Sequence, residues 1–328
     1  MIMISEELLR EVVPMEMAIG AVRNAFAAAA SGDFWQPARI ASPDGRTLAM
    51  LASDGRAGTT AKIVSVRDGN FAKGLPTIMA TVIWIDFETG AVRAIIDGPA
   101  LTALRTGATT GLATELLAPK GPIVLAMLGA GQQAAAQIEA VAAVRDVTRI
   151  NIVSRSAESA ERLARNIGRS QTDVTTATFA SVRTALKHAN VVCCATPSSE
   201  PLFDATWLSD DVHINAIGSY RVDMCELAPS LFGDARIVTV EQREAAFAEA
   251  GDLIRAIGTG DILEDDIVEL EELIETPFER QGGVTIFKSV GLAIEDWAVA
   301  QIAYEAVGAR HGERPVRQAP TPRRSVHL

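Results

Sequence analysis

Ile123-Val124-Leu125-Ala126-Met127-Leu128-Gly129-Ala130-Gly131-Gln132-Gln133-Ala134 runs from an apolar stretch the length of one buried strand, through a glycine-rich turn, into a segment that reads as a helix from Gln132 to Val144. The first turn of a helix leaves N–H groups without partners and points the positive end of the helix dipole over the turn, so an anion settles there. Gly129 permits the tight turn, Gly131 lets the backbone approach a pyrophosphate, and Ala134 supplies the third small position of the G-x-G-x-x-G/A pattern. A second strand, Arg149 to Val153, follows the helix. This order predicts a dinucleotide site in which Gly129, Ala130, Gly131, Gln132 and Gln133 touch the cofactor.

Downstream, strands and helices alternate: helix Ala157 to Ile167, strand Val174 to Phe179, helix Ser181 to His188, then strands Val191 to Ala195, His213 to Ile217 and Arg236 to Val240. The fold class is therefore α/β, with a Rossmann-type doubly wound parallel sheet. Ligands gather at the carboxyl ends of such strands, which selects Gly129 to Gln133, Ser154-Arg155-Ser156, Ala195-Thr196-Pro197 and Gly218-Ser219-Tyr220. Thr196, Ile217 and Ser289 join the cofactor candidates. An acid ending the second strand would take the ribose hydroxyls of NAD, but Val153 is followed by Ser154-Arg155-Ser156. Arg155 can pair with a 2′-phosphate through its fork while the serines donate, so NADP(H) is the expected cofactor and NAD(H) the alternative. The acidic segment Asp261 to Glu275 has helical spacing and reads as a solvated face. Val284 to Phe287 is a further strand and Val290 to Val307 a helix, and the Arg- and Pro-rich tail from Arg310 reads as loose or wrapped over a partner subunit.

Upstream the pattern differs. Ser5 with Glu6 and Glu7 marks a helix start, and Pro14 precedes an alanine-rich helix, Met15 to Ala30. Gln36 to Ile40 is extended, Thr47 to Ala52 and Thr59 to Val66 are strands, and Pro76 to Asp86 pairs with Ala91 to Asp97 around Glu88-Thr89-Gly90. Lys62, alone between apolar strand neighbours, reads first as a solvated edge lysine. Leu101 to Leu117 is a helix carrying Arg105 among Thr102, Thr106, Ala108, Thr109 and Thr110, a density of small residues that implies close packing or binding. Pro119-Lys120-Gly121-Pro122 marks a boundary.

The 328 residues, 48% hydrophobic and 22% charged, suffice for two domains with large cores. A net charge of -11 argues against nucleic acid as a partner. Three cysteines, Cys193, Cys194 and Cys225, read as buried free thiols in a reducing compartment. His188, His213, His311 and His327 lack metal-site spacing, so no metal is expected. The N-terminus shows no signal-peptide pattern and no run reaches membrane length, which reads as a cytoplasmic protein without a membrane partner.

Several stretches together resemble the ornithine cyclodeaminase/mu-crystallin family: Arg39, the Lys62 strand, Gly74 to Ala80, Leu101 to Ala108, Gly129 to Gln132, Asn215 to Ser219, and Phe287 to Asp296. The resemblance implies a discontinuous α+β substrate-binding and dimerisation domain, residues 1–120 and 297–328, around a Rossmann domain, residues 121–296. It implies a homodimer, and it implies that Arg39, Lys62 and Arg105 grip a substrate carboxylate while Thr77, Arg105 and Gln132 touch the cofactor. That reverses the edge-lysine reading, since the partner of Lys62 becomes the ligand. Deaminating members place acids where this chain has Leu48 and Tyr220, which disfavours ornithine cyclodeamination. The expectation is NAD(P)H-dependent reduction of a cyclic ketimine carboxylate, Δ1-pyrroline-2-carboxylate or Δ1-piperideine-2-carboxylate, with no strong general acid at the site. The alternatives are a cyclodeaminase or amino-acid dehydrogenase, and a non-catalytic binding protein.

Overall fold

A computed structural model describes residues 1–170 and 174–310, so His311, His327 and the rest of the tail lie outside the described residues. Six strands form a first sheet: β1 (Ile2–Ile4), β2 (Ile40–Ala41), β3 (Thr47–Ser53), β4 (Gly58–Val66), β5 (Ile78–Asp86) and β6 (Val92–Asp97). Their order is β1-β6-β5-β4-β3-β2, antiparallel except that β1 lies parallel to β6. Helices α1 (Glu6–Val12) and α2 (Met15–Ala30) precede the β2–β3 hairpin, and α3 (Gly98–Leu117) leaves β6. Side chains alternate across a strand. Met50, Lys62 and Val82 share a rung on the face covered by α3 and the last helix.

Eight strands form a second, fully parallel sheet: β7 (Pro122–Leu128), β8 (Asp146–Val153), β9 (Thr175–Phe179), β10 (Val191–Cys194), β11 (Asp211–Ala216), β12 (Ile237–Val240), β13 (Ile267–Glu269) and β14 (Gly283–Lys288). The order β13-β12-β14-β11-β10-β7-β8-β9 reverses direction between β7 and β10. A crevice opens at that switch point beyond the strand ends. Helices α4 (Ala134–Val144), α5 (Ala157–Ser170), α6 (Val182–Leu186), α7 (Pro229–Asp234), α8 (Arg243–Glu249), α9 (Gly251–Thr259) and α10 (Leu270–Glu275) connect these strands. The last helix, α11 (Ala293–Arg310), returns to the first sheet and packs on α2, α3, β3 and β4.

The α3 helix links the two sheets. Asp97 caps its start by accepting from the Ala100 N–H at 2.9 Å. Its threonines are buried because hydroxyls return bonds to the preceding turn, Thr106 to the Thr102 carbonyl at 2.7 Å and Thr109 to the Arg105 carbonyl at 2.9 Å. A Cβ on Gly107 would stand 2.8 Å from the Ala136 carbonyl oxygen, so the dense small residues admit the backbone of α4. Arg145 gathers the carbonyls that end α3, bonding those of Thr114 at 2.9 Å and Glu115 at 2.8 Å.

Three sequence expectations are corrected. The helix expected from Val290 begins at Ala293, because Gly291 takes a φ of +77° that a helix cannot accommodate. The helix expected over Ser181 to His188 spans only Val182–Leu186, and His188 adopts a left-handed φ of 67° after it. The acidic segment Asp261 to Glu275 is not one solvated helix face: Ile267 is buried in strand β13, and α10 starts only at Leu270. Glu264, Asp265, Asp266 and Glu275 are exposed, while Glu269 accepts from the Arg243 N–H at 2.6 Å and Glu272 pairs with Arg243 at 2.7 Å.

Candidate active site

Gly129 follows β7, and its N–H donates to the Val153 carbonyl at 2.8 Å. Its φ is +109°, and a Cβ there would lie 2.5 Å from the Ala195 carbonyl oxygen, so only glycine serves. A Cβ on Gly131 would meet nothing within 4 Å, leaving the open approach that a pyrophosphate requires. Gly131 and Gln132 are exposed, Ala130 and Gln133 half-buried, and Ala134 fully buried at the start of α4. Buried Gln133 Oε1 and Ser219 Oγ have no partner within the described residues, which suits polar ligand contacts. These features fit a dinucleotide.

The neighbouring strand ends are held firmly. Thr196, after β10, donates its N–H at 2.7 Å and its hydroxyl at 2.8 Å to Glu226 Oε1, and Gly218, after β11, donates to Glu226 Oε2 at 2.7 Å. Burial raises the pKa of this carboxyl. The Ile217 N–H donates to the Cys194 carbonyl at 2.9 Å. Ser154 and Ser156 follow β8, their hydroxyls accepting from the N–H groups of Ser156 and Ser159 at 3.3 and 3.2 Å, and Arg155 between them is exposed. Thr77 lies half-buried before β5, its carbonyl accepting from the Arg67 N–H at 2.8 Å. No bond connects it to the fingerprint turn among the described residues.

The three cations come from separate elements and meet near α11. Lys62, on the interior strand β4, is 1% exposed, and its Nζ lies 2.8 and 2.7 Å from the two oxygens of Asp296. The solvated-edge reading of this lysine is therefore corrected: it is buried and paired with Asp296 inside the chain. Arg105 donates from Nη1 to Glu295 at 2.6 Å, and its Nε is 3.1 Å from Asp296. Arg39 pairs with Glu249 at 2.9 Å and donates from Nη2 to the Gly291 carbonyl at 2.7 Å. Gly291 also presses on Arg105, since a Cβ there would stand 2.3 Å from Arg105 Nη1.

Burial lowers Lys62 to about 8, with Asp296 opposing the fall. Burial alone would lower Arg105 as well, but Glu295 and Asp296 overcome it and hold its guanidinium firmly charged. Glu241, immediately after β12, accepts from the N–H groups of Val290 at 3.2 Å and Gly291 at 3.1 Å and from the Ser289 hydroxyl. Burial, with Glu295 nearby, pushes its carboxyl up to about 7. Ser289, a cofactor candidate from the sequence, thus spends its hydroxyl on Glu241. Glu241, Glu249, Glu295 and Asp296 surround the cations, the last three as their ion-pair partners. Glu241 stands at a strand's carboxyl end, the same signal that selected Gly129 and Thr196. The other expected absences have a structural setting, with Leu48 on the inner face of β3 two residues from Met50, the rung partner of Lys62.

A parallel sheet with a glycine fingerprint at its switch point defines a dinucleotide-binding protein of the dehydrogenase type. The chain belongs to the ornithine cyclodeaminase/mu-crystallin family, whose model matches residues 1–311. It is 38% identical over 258 residues to a Δ1-pyrroline-2-carboxylate reductase of Bacillus cereus, covering 77% of this chain and 79% of that one. A Δ1-pyrroline-2-carboxylate reductase of Thermococcus litoralis, solved in complex with NADH and L-proline, superposes with a TM-score of 0.89 at 32% identity, covering 95% of this chain and 98% of that one. An archaeal alanine dehydrogenase dimer with bound NAD superposes at 0.86 with 30% identity, covering 94% and 97%.

Proposed function

We propose that this protein reduces the C=N bond of a cyclic ketimine carboxylate, Δ1-pyrroline-2-carboxylate or Δ1-piperideine-2-carboxylate, to proline or pipecolate with NAD(P)H. It is an oxidoreductase acting on C=N. The observation that carries the reading is the set of buried Lys62 and Arg105 with half-buried Arg39 beside the carboxyl edge of the parallel sheet, where the Ser289 N–H bonds the Ala216 carbonyl at 3.0 Å. A small carboxylate leaving water needs fixed charge-assisted donors, and these three supply them.

The reduced nicotinamide, when bound, supplies the hydride. A protonated cyclic imine is already electrophilic at the carbon bearing the carboxylate, so its reduction to the amine needs no further proton in that step. The chain orients the ring: Arg39, Lys62 and Arg105 hold the carboxylate, and α11 excludes water from Lys62. Positioning of this kind lowers a barrier by several kcal/mol. Gly129 to Gln133, Thr196, Ile217, Ser219 and Thr77 would hold the dinucleotide. Ser154-Arg155-Ser156 supports NADP(H) as the preferred form, with NAD(H) accepted.

For function we divide the chain into residues 1–120 with 297–328, which carry substrate binding and dimerisation, and residues 121–296, which carry the dinucleotide. A homodimer is supported by the outer face of the first sheet, where Met3 is 66%, Ile40 65% and Ile63 48% exposed and nothing within the described residues covers them. Buried reduced thiols and the use of NAD(P)H suit the cytoplasm. No described helix is long and apolar enough to cross a membrane.

The test is to follow NADPH and NADH oxidation with both imines and to identify the product. Formation of proline or pipecolate is expected. Ammonia release from ornithine with neither imine reduced would overturn the reading.

A further inference from the structure

The turn between β14 and α11, residues 289–291, touches both arginines of the proposed carboxylate grip. Its Gly291 carbonyl accepts from Arg39 at 2.7 Å and its Val290 carbonyl at 3.3 Å. The Cα of Gly291 faces the Arg105 guanidinium, so tightly that a Cβ would stand 2.3 Å from Nη1 and 2.9 Å from Nη2. Any displacement of this turn therefore moves two substrate-gripping cations together.

One side chain fixes the turn. The Glu241 carboxylate, 2% exposed, spends both oxygens on it, accepting from Ser289 Oγ, the Val290 N–H and the Gly291 N–H. These three bonds satisfy donors that would otherwise be buried unpaired. The dinucleotide loops have their own buried bracket, because Glu226 takes the N–H groups of Thr196 and Gly218. Two buried carboxylates thus serve different halves of the site.

We propose that Glu241 is a positioning residue for substrate binding: through the Ser289–Gly291 turn it sets Arg39 and Arg105 for the substrate carboxylate, while Glu226 independently sets the strand ends that receive the dinucleotide. The proposal rests on the carboxylate-grip reading of Arg39 and Arg105. Glutamine at 241 keeps the size of the side chain but has only one acceptor oxygen, so an amide N–H must face a backbone N–H of the turn.

The test uses the full chain and separates the ligands. Binding of pyrrole-2-carboxylate, a planar unreactive carboxylate, is measured by calorimetry with NADP+ present, and NADPH binding by fluorescence. Glu241→Gln is expected to weaken the carboxylate by about ten- to a hundredfold, the range typical when an outer partner of a binding group is removed, and to leave NADPH within about twofold. Glu226→Gln is expected to do the reverse. Ser289→Ala removes one bond of the bracket, so it weakens the carboxylate in the same direction by less and keeps the test intact where Glu241→Gln does not fold. Equal losses for both ligands in the Glu241 and Ser289 variants, or unchanged carboxylate binding, would overturn the proposal. A wild type that binds the carboxylate but reduces no ketimine refutes the reductase reading alone, and the variant comparison still decides the role of Glu241. A wild type that binds no small carboxylate overturns both.

Discussion

Burial lowers the pKa of Lys62 from the ordinary 10.5 to about 8, and Asp296 chiefly, with Glu295, opposes that fall in the sheet interior. The groups acting on it are Asp296, Arg105 and Glu295, from α11 and α3. A lysine that must be charged to hold a carboxylate loses its hold as pH rises through about 8, so KM for the imine should climb there while KM for NADPH stays level. Stability should move the other way. Between about 8 and 10.5 the unfolded chain binds a proton that the folded chain has released, so this group's penalty on folding shrinks as pH rises. Lys62→Met should abolish carboxylate binding and cost about 3 kcal/mol of stability, since Asp296 then keeps only Arg105. Unchanged imine kinetics in that variant, or a pH profile identical to that of Lys62→Arg, would remove Lys62 from the grip.

At the scale of elements, strand ends decide which ligands are recognised. The β8 end carries Arg155 exposed between two serines whose hydroxyls accept local backbone N–H groups. Arg155→Ala should raise KM for NADPH by about tenfold or more and leave KM for NADH nearly unchanged, because only the 2′-phosphate engages the guanidinium fork. Equal effects on the two nucleotides would show that Arg155 does not read the phosphate. The elements themselves were largely legible, since strand, glycine turn and helix are written in adjacent residues. Misreadings fell where a local pattern met a distant constraint, as at Gly291, which has a positive φ and leaves no room for a side chain beside Arg105, and at Ile267, drawn into an edge strand beside Val238.

For the whole molecule, the fold class followed from periodicity, but the charge network did not. Lys62 and Asp296 are 234 positions apart and Arg105 and Glu295 are 190, so no spacing in the chain announces their pairing. The acids of α11 look like ordinary first-turn residues complementing a helix dipole. The resemblance singled out the cations, and the three-dimensional arrangement adds the carboxylates that hold them. The same scale exposes the outer face of the first sheet, a row through Met3, Ile95, Ile83, Ala61 and Leu51 beside a second through Ile63, Ala49 and Ile40. An apolar face this broad calls for a cover, and a second copy of the chain offers the same surface. Sedimentation velocity should give twice 34.8 kDa, and Ile63→Glu should shift the population toward monomer. A wild type that sediments as a monomer at micromolar concentration would refute the dimer.

The proposed grip of Lys62, Arg105 and Arg39 on a carboxylate is probed most directly by one comparison: kcat/KM for Δ1-pyrroline-2-carboxylate against kcat/KM for Δ1-pyrroline, the same ring without the carboxylate, with NADPH saturating. Three charge-assisted contacts make a preference of at least about a thousandfold for the carboxylate imine the expected result. Comparable values for the two imines, or reduction of the uncharged one alone, would contradict it.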